Sequence, residues 1–438
     1  MIKEGIIDKV LYKVKKLIPE SVFNFFQPLY HMALAYAGAL VYGFPSRKLK
    51  VIGVTGTKGK STVVYLVSKL LESSGKKVAA CGSLGFKIKD KEWPNTLKMT
   101  MPGRFRLQKL MFEAVRTGCE YFVLEVTSEG IKQKRHLGIW FDCAVFTNLH
   151  KEHLESHGSF ENYYKAKQEL FSRTTNIHVV NADDEYTKLF GDFPAKHKIF
   201  YGLTKGDLVA RNLKLSNDGS SFDVYGTVYN TRLVGQFNVL NILAVLAVGA
   251  MYGIDLPSAK PVLELVQGIP GRMEFLQKEP FSIVIDYAHT PDSLRSVYET
   301  LRKGLELPIT NYQLPNKKKL ICVLGAAGGG RDKWKRPEFG RLAAEYCDEI
   351  ILTNEDPYDE NPEVILDNIE SGISPIHDTR YTIHRVINRK LAIKTALAMA
   401  QEGDTVIITG KGSETSMAVA GNKKIPWSDK EVVRGLTQ

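Results

Sequence analysis

Residues 51–62 read VIGVTGTKGKST, an apolar run that stops at a loop with glycines at Gly53, Gly56 and Gly59 and closes on Lys60, Ser61 and Thr62. Such glycines let backbone N–H groups turn toward phosphate oxygens. A lysine then reaches the terminal phosphates, a hydroxyl can ligate magnesium, and a following helix adds its positive N-terminus. The next residues, VVYLVSKLLESSG, have helical apolar spacing, so the loop lies between a strand and a helix as such a site requires. An ATP site is therefore expected, with Gly56, Thr57, Gly59, Lys60, Ser61 and Thr62 around the phosphates. Mg2+ needs hard oxygen ligands, and Glu125, closing the apolar run YFVLEV, is placed to supply one. His153, in TNLHKEHLESHG, is a softer ligand and on its own reads equally well as a surface or structural histidine.

Positioning these groups requires a layered scaffold. From residue 49 onward, β-type runs alternate with helical patterns, which predicts an α/β fold with largely parallel sheets. KVIGVTG, YFVLEV, CAVFTNL and IHVVNAD read as buried strands ending in polar residues. Residues 207–234 alternate apolar and polar around Asn-Asp-Gly and read as antiparallel hairpins. A helix is expected from about 238 to 252, then a Gly/Pro-rich joint, GIPGRME. A second strand set follows in FSIVIDYAH, KLICVLGAAGG, EIILTNEDP and DTVIITGKG, each closing on polar or glycine-rich residues where open parallel sheets hold ligands. The expected division is a short helical N-terminal segment at 1–48, a central P-loop ATPase domain at 49–269 and a C-terminal Rossmann-like α/β domain at 270–438. The active site would lie between the last two, which would close during turnover.

The chain has 438 residues, 44% hydrophobic and 24% charged, too balanced for disorder. Its net charge of +11 suits anionic partners. The cations are dispersed and no base-stacking module is evident, which favours phosphorylated small molecules over nucleic acid. The cysteines Cys81, Cys119, Cys143, Cys322 and Cys347 form no C-x-x-C pair and are odd in number, so reduced, mostly buried thiols in a cytoplasmic protein are expected. In the first 48 residues, Ile7, Val10, Leu11, Val14, Leu17 and Ile18 share a helical face that Lys9, Lys13 and Lys16 avoid. The following LYHMALAYAGALVYGF is shorter than the roughly 20 residues a membrane span needs. Helices packed on the enzyme body are the first reading, and a basic amphipathic segment in peripheral contact with a membrane is the second.

The stretches GVTGTKGKST, LEVTSEGIKQKR, VFTNLHKEHLESHGSFENYYKAKQELF, VGQFNVLN, GIPGRME, DYAHTPDSL, GGGRDKWKRP and TGKGSE follow one another in the order seen in Mur ligases. The chain resembles that family over about 49–438, most closely the branch that makes the UDP-N-acetylmuramoyl tripeptide. The resemblance implies an ATP-dependent ligase that activates a peptide carboxylate as an acyl phosphate, which the amine of an amino acid then attacks. It implies that Lys60 holds the β/γ-phosphates, that Ser61 and Glu125 serve one magnesium, and that His153 serves a second. Lys167, by its own surroundings a solvated helix residue, matches a carbamylated lysine of the family. Asn238 and Asn241 resemble residues near the adenine, although Asn238 could equally cap a helix. Arg272, Asp286 and His289 resemble nucleotide contacts. Thr100, Thr127, Gln133 and Arg135 match acceptor-contacting positions, and Arg331, Gly410 and Glu414 match positions that hold the incoming amino acid. The substrates implied are a muramoyl-peptide acceptor, an amino acid and ATP.

Several residues depart from the family pattern. Lys58 stands where an Asn is usual, Met101 interrupts a Thr-Thr-Pro motif, Glu129 replaces a His and Glu152 an Asp. Glu355, Asp356, Pro357 and Tyr358 stand where the diaminopimelate-adding branch has Asp-Asn-Pro-Arg, and Tyr358 cannot make an arginine's bidentate contact with a carboxylate. With Asp356 and Glu414 present, a lysine-like side chain becomes the expected guest. The 48 residues before the ATPase region are fewer than the UDP-binding domain the family uses there, so a lipid-linked acceptor is an alternative to a UDP-linked one. A folylpolyglutamate-synthetase-like ligase and a P-loop nucleotidase or binding protein are the competing readings.

Overall fold

The computed structural model describes residues 20–97, 99–152, 154–304, 318–373, 381–421 and 423–437. His153 and the amphipathic residues 7–18 therefore lie outside the described residues.

The phosphate loop hangs from a nine-stranded sheet. Its strands in chain order are β1 (Lys50–Thr55), β2 (Val78–Cys81), β3 (Phe86–Ile88), β4 (Lys91–Trp93) and β5 (Tyr121–Glu125), followed by β6 (Phe141–Phe146), β7 (Ile177–Asn181), β8 (His197–Gly202) and β9 (Leu208–Val209). Their spatial order is β4-β3-β2-β5-β1-β6-β7-β8-β9. All neighbours from β2 to β9 are parallel, and only β3 and β4 add antiparallel pairings. β1 lies between β5 and β6, so the β-branched Val51, Ile52 and Val54 are wholly buried. Helices Lys60–Ser73 and Gln236–Met251 cover one face of the sheet and Arg104–Arg116 and Phe160–Ser172 the other. Gln236–Met251 is apolar around most of its circumference and almost entirely buried, as a central helix must be. The expected hairpins form a separate three-stranded antiparallel sheet of β10 (Arg211–Ser216), β11 (Gly219–Val224) and β12 (Thr227–Thr231).

Beyond the joint, β13 (Glu274–Gln277), β14 (Ser282–Ile285), β15 (Leu320–Leu324), β16 (Glu349–Leu352), β17 (Thr382–Arg385) and β18 (Thr405–Ile408) form a second sheet. Its order is β13-β14-β18-β15-β16-β17, parallel except for β13. Apolar clusters cover both faces, one under helices Pro291–Gly304, Lys335–Tyr346 and Pro362–Glu370, the other under Arg389–Met399 and Asp429–Thr437.

Three local expectations need correction. The buried helix begins at Gln236 behind Gly235, whose φ of 94° favours glycine, so Asn238 sits inside the first turn. Its Nδ2 donates back to the Val234 carbonyl at 2.8 Å instead of capping. Cys322 and Cys347 are joined in a disulfide, with Cα atoms 6.1 Å apart, and only Cys81, Cys119 and Cys143 are free. The β-helix-β crossover from β15 to β16 brings Cys347 back beside β15, a proximity that a spacing of 25 residues does not signal. Lys167 is buried, not solvated, because its helix turns Tyr163, Lys167, Leu170 and Phe171 toward the sheet.

The helix Glu20–Val41 packs on Arg104–Arg116, burying Ala35 and Ala39, as expected of a segment resting on the body. Phe26, Leu29, Met32, Tyr36, Leu40 and Val41 remain exposed on its other side. No helix among the described residues is long and apolar enough to cross a membrane.

Candidate active site

The phosphate loop leaves the C-terminal end of β1 in a conformation that only glycine allows at two points. Gly56 has φ 146°, and a Cβ there would lie 2.0 Å from Thr147 Oγ1; Gly59 has φ 82°, and a Cβ would lie 2.2 Å from Asn241 Oδ1. Lys60 curls back over the loop, donating to the carbonyls of Thr57 at 2.8 Å and Gly56 at 3.0 Å. Ser61 Oγ donates to Glu125 Oε2 at 3.1 Å, and the same oxygen accepts the Ser83 N–H at 2.8 Å. A hydroxyl and a buried carboxylate side by side at a phosphate loop are the hard oxygen donors that Mg2+ prefers, so the residues present fit that ion.

Lys167 approaches the loop from below, its Nζ donating to the Gly56 carbonyl at 2.7 Å. Burial, and then the nearby Lys60, push its pKa well below the ordinary lysine value. Thr57 Oγ1 and the Tyr163 hydroxyl are 3.0 Å apart and tie the loop to the same helix. Glu152, buried on the segment after β6, faces Lys58 Nζ at 3.4 Å and His289 Nε2 at 3.4 Å through one oxygen. The central and C-terminal sheets thus meet across that carboxylate. Burial, and then the neighbouring Lys58, depress the His289 pKa to about 4, so the ring is uncharged at neutral pH.

Two cavities open at this junction. One, of about 170 Å³, is lined by Thr62, Asn238, Asn241, Asp286 and His289, which the sequence reading assigned to the nucleotide. Asp286 accepts the Met273 N–H at 2.7 Å and the Ala288 N–H at 2.6 Å, fixing the joint that presents Arg272. The other cavity is a cleft of about 700 Å³ running from Lys60 and Ser61 to the second sheet. Thr100, Thr127, Gln133 and Arg135 line it from the central side, and Arg331, Glu355, Asp356, Gly410 and Glu414 from the C-terminal side. Thr100 hydrogen-bonds the Ser83 hydroxyl at 2.8 Å, and the Thr127 hydroxyl accepts the Gly130 N–H at 3.0 Å. Arg135 grips the Gln133 side chain at 2.7 Å, while Arg104, which the sequence reading passed over, donates to the Gln133 carbonyl. Tyr358 touches the cleft through Arg331, from which its hydroxyl accepts a 2.9 Å hydrogen bond.

Behind the lining of the far end of the cleft lies a residue the sequence reading missed. Lys411 is fully buried and donates to Asp356 Oδ1 at 2.9 Å and to Glu414 Oε2. Asp356 also accepts the Ala418 N–H at 2.6 Å, and Glu414 the Tyr287 hydroxyl at 3.3 Å. The two carboxylates from which a lysine-like guest was inferred therefore already face an internal ammonium, and that inference loses its basis. Lys411 lies inside TGKGSE, and its position between Gly410 and Glu414 was the available signal. Glu355 is buried beside Gly410, its Oε2 has no hydrogen-bond partner among the described residues, and burial raises its pKa to about 7.

Residues 54–249 match the family described as Mur ligase middle domain, and residues 271–412 match Mur ligase, glutamate ligase domain. The chain is 39% identical over 409 residues to the UDP-N-acetylmuramoyl-L-alanyl-D-glutamate–2,6-diaminopimelate ligase 1 of Clostridium acetobutylicum, covering 92% of this chain and 80% of that protein. A solved structure of a UDP-N-acetylmuramoyl-L-alanyl-D-glutamate–2,6-diaminopimelate ligase superposes with a TM-score of 0.59 at 30% identity, covering 89% of this chain and 78% of that one. A folylpolyglutamate synthase from Mycobacterium tuberculosis reaches a TM-score of 0.68 at 17% identity, covering 86% and 92%, a likeness of fold alone. With a phosphate loop opening into a two-sided cleft and this identity along nearly its whole length, the chain belongs to the Mur ligase family and is an ATP-dependent acid–amino acid ligase of peptidoglycan precursor synthesis.

Proposed function

We propose that the enzyme joins 2,6-diaminopimelate to a UDP-N-acetylmuramoyl-dipeptide in the cytoplasm, with residues 49–269 as the ATPase domain and 270–438 as the domain that receives the amino acid. The observation that carries this reading is the cleft that runs from the phosphate loop to the Arg331–Gly410–Glu414 end. The names of the relatives support the choice of amino acid. So does the charge of the pocket: with Asp356 and Glu414 countered by Lys411, the exposed Arg331 guanidinium is left to meet a distal carboxylate.

In this reading Thr127, Gln133, Arg135 and Thr100 hold the acceptor, so that its carboxylate meets the γ-phosphate at Lys60. Asn238, Asn241, Arg272, Asp286 and His289 hold the nucleoside end of ATP. Family members use ATP and Mg2+; Ser61, Glu125 and His153 would hold the metal here, and it would offset the repulsion between two anionic reactants. A carboxylate oxygen attacks the γ-phosphorus, the bond to the bridging oxygen breaks, and ADP leaves with that electron pair. The amine, aligned by Gly410 and Glu414, then attacks the acyl carbon, the C–O bond to phosphate breaks with its electron pair going to the phosphate, and the departing phosphate takes up the proton the amine loses. Proximity accounts for much of the rate, because the cleft seats all three reactants at once.

Lys167 enters as a carbamate in this proposal. Its depressed pKa supplies the neutral amine that attacks CO2, forming an N–C bond and releasing a proton. The resulting negative charge would relieve the crowding of Lys58, Lys60 and Lys167. The test is a panel of amino acids with ATP and UDP-N-acetylmuramoyl-L-alanyl-D-glutamate, products weighed by mass spectrometry. Diaminopimelate should give the tripeptide, and a product formed with lysine alone overturns the assignment of the amino acid.

A further inference from the structure

Among the described residues, Lys58 is the one loop lysine that lines both cavities. It lines the nucleotide pocket and the acceptor cleft alike, whereas Lys60 lines only the cleft. Its backbone is pinned: the N–H donates to Asn148 Oδ1 at 2.8 Å, and the carbonyl accepts from Thr147 Oγ1 at 2.6 Å and Asn148 Nδ2 at 3.2 Å. Its ammonium, by contrast, meets Glu152 at 3.4 Å, longer than the roughly 2.7–2.9 Å of a firm charge-assisted bond. Lys60 is held the other way round, with its ammonium bonded to two loop carbonyls.

We propose that Lys58 is a further catalytic residue, a mobile cation that leaves Glu152 to bind the γ-phosphoryl group and accompany it from ATP to the acceptor carboxylate. The proposal rests on the ligase reading above. In the step itself, the phosphorus–oxygen bond to the β,γ-bridge breaks with its electron pair going to ADP, and a bond from phosphorus to the acceptor carboxylate forms. No proton is transferred, so Lys58 contributes fixed charge and hydrogen bonds to oxygens whose charge shifts during transfer. A lysine suits a travelling contact because its ammonium is a compact charge on a flexible stem.

Positional isotope exchange isolates this half-reaction. ATP labelled with 18O in the β,γ-bridge is incubated with acceptor and enzyme but no amino acid. Lys58→Met should slow the acceptor-dependent scrambling by about 100-fold, the scale of one lost transition-state donor, and Lys58→Arg should recover most of it. The affinity of Lys58→Met for a methylene-bridged ATP analogue should fall about tenfold more than its affinity for ADP. Thermal melting serves as the control for folding. Unchanged exchange, equal loss of ADP and ATP-analogue affinity, or a Lys58→Arg enzyme as slow as Lys58→Met would each overturn the proposal. Should the parent enzyme show no exchange with a muramoyl-dipeptide, the acceptor assignment fails instead, and the two nucleotide affinities alone decide the role of Lys58.

Discussion

Lys411→Met removes the ammonium between Asp356 and Glu414 while keeping the length of the side chain. Removing one partner of a buried ion pair costs about 3–5 kcal/mol, because the other charge is left uncompensated. Asp356 would keep the Ala418 N–H and Glu414 would keep the Tyr287 hydroxyl, which places the expected loss at the lower end, about 3 kcal/mol. For a domain of this size that corresponds to a fall in melting temperature of roughly 6–12 °C. The sign of the pH dependence is also fixed. Lys411 is one of the charges that hold the already raised Glu355 pKa down, so without it the Glu355 carboxyl is pushed further up in the folded state. Carboxyls with raised pKa values destabilise the fold progressively as pH increases, so the deficit should be larger at pH 8 than at pH 5. Differential scanning calorimetry of parent, Lys411→Met and the Asp356→Asn/Lys411→Met double variant at both pH values measures this. The double variant should recover part of the loss. A single variant melting within about 1 °C of the parent, or a double variant no better than the single, would refute the claim that Lys411 is what balances this end of the cleft.

Glu355→Gln tests the neighbouring carboxyl. Its pKa is raised from an ordinary 4.5 to about 7, so its favourable contribution is complete below 4.5 and lost as pH rises through 7. The Gln variant should be the more stable protein at pH 8, by up to about 3 kcal/mol, with the advantage vanishing near pH 4.5 in denaturant titrations. Activity should decline when CO2 is stripped from the buffer and return with bicarbonate, and carbon-13 NMR with labelled bicarbonate should show a carbamate signal missing from Lys167→Ala. Arg331→Ala should raise KM for diaminopimelate about tenfold or more, the scale of a lost charged hydrogen bond, with little change in KM for ATP; an unchanged KM removes Arg331 from the amino-acid site.

Local chemistry was legible in the sequence wherever the signal was local. The strand, glycine turn, lysine and helix at 51–73 lie next to one another in the chain, and the apolar runs of both sheets mark themselves by β-branched residues. Glu125 was found because a carboxylate ending a buried strand has a recognisable place. What the sequence hid depends on separation and burial. Lys58 and Glu152 are 94 residues apart, and Lys411 and Asp356 are 55 apart, so only the folded topology pairs them. Lys167 could have been read better: Tyr163, Lys167, Leu170 and Phe171 follow the spacing of a buried helical face, and a lysine within such a face calls for a partner inside. The Cys322–Cys347 bond carried no comparable signal, because a crossover helix can return the chain at many spacings. The expectation of a lysine substrate lost its basis for a related reason. Carboxylates were counted along the sequence, and the ammonium that neutralises them was read as part of a glycine-rich turn.

The most direct test of the ligase reaction is whether ADP forms only when the acceptor is present and whether the product gains the mass of one amino acid. The expected result is acceptor-dependent ADP release, stoichiometric with a tripeptide carrying one added diaminopimelate, and its loss in Lys60→Ala. ADP release at an equal rate without acceptor or amino acid, with no mass gained by the acceptor, would contradict it.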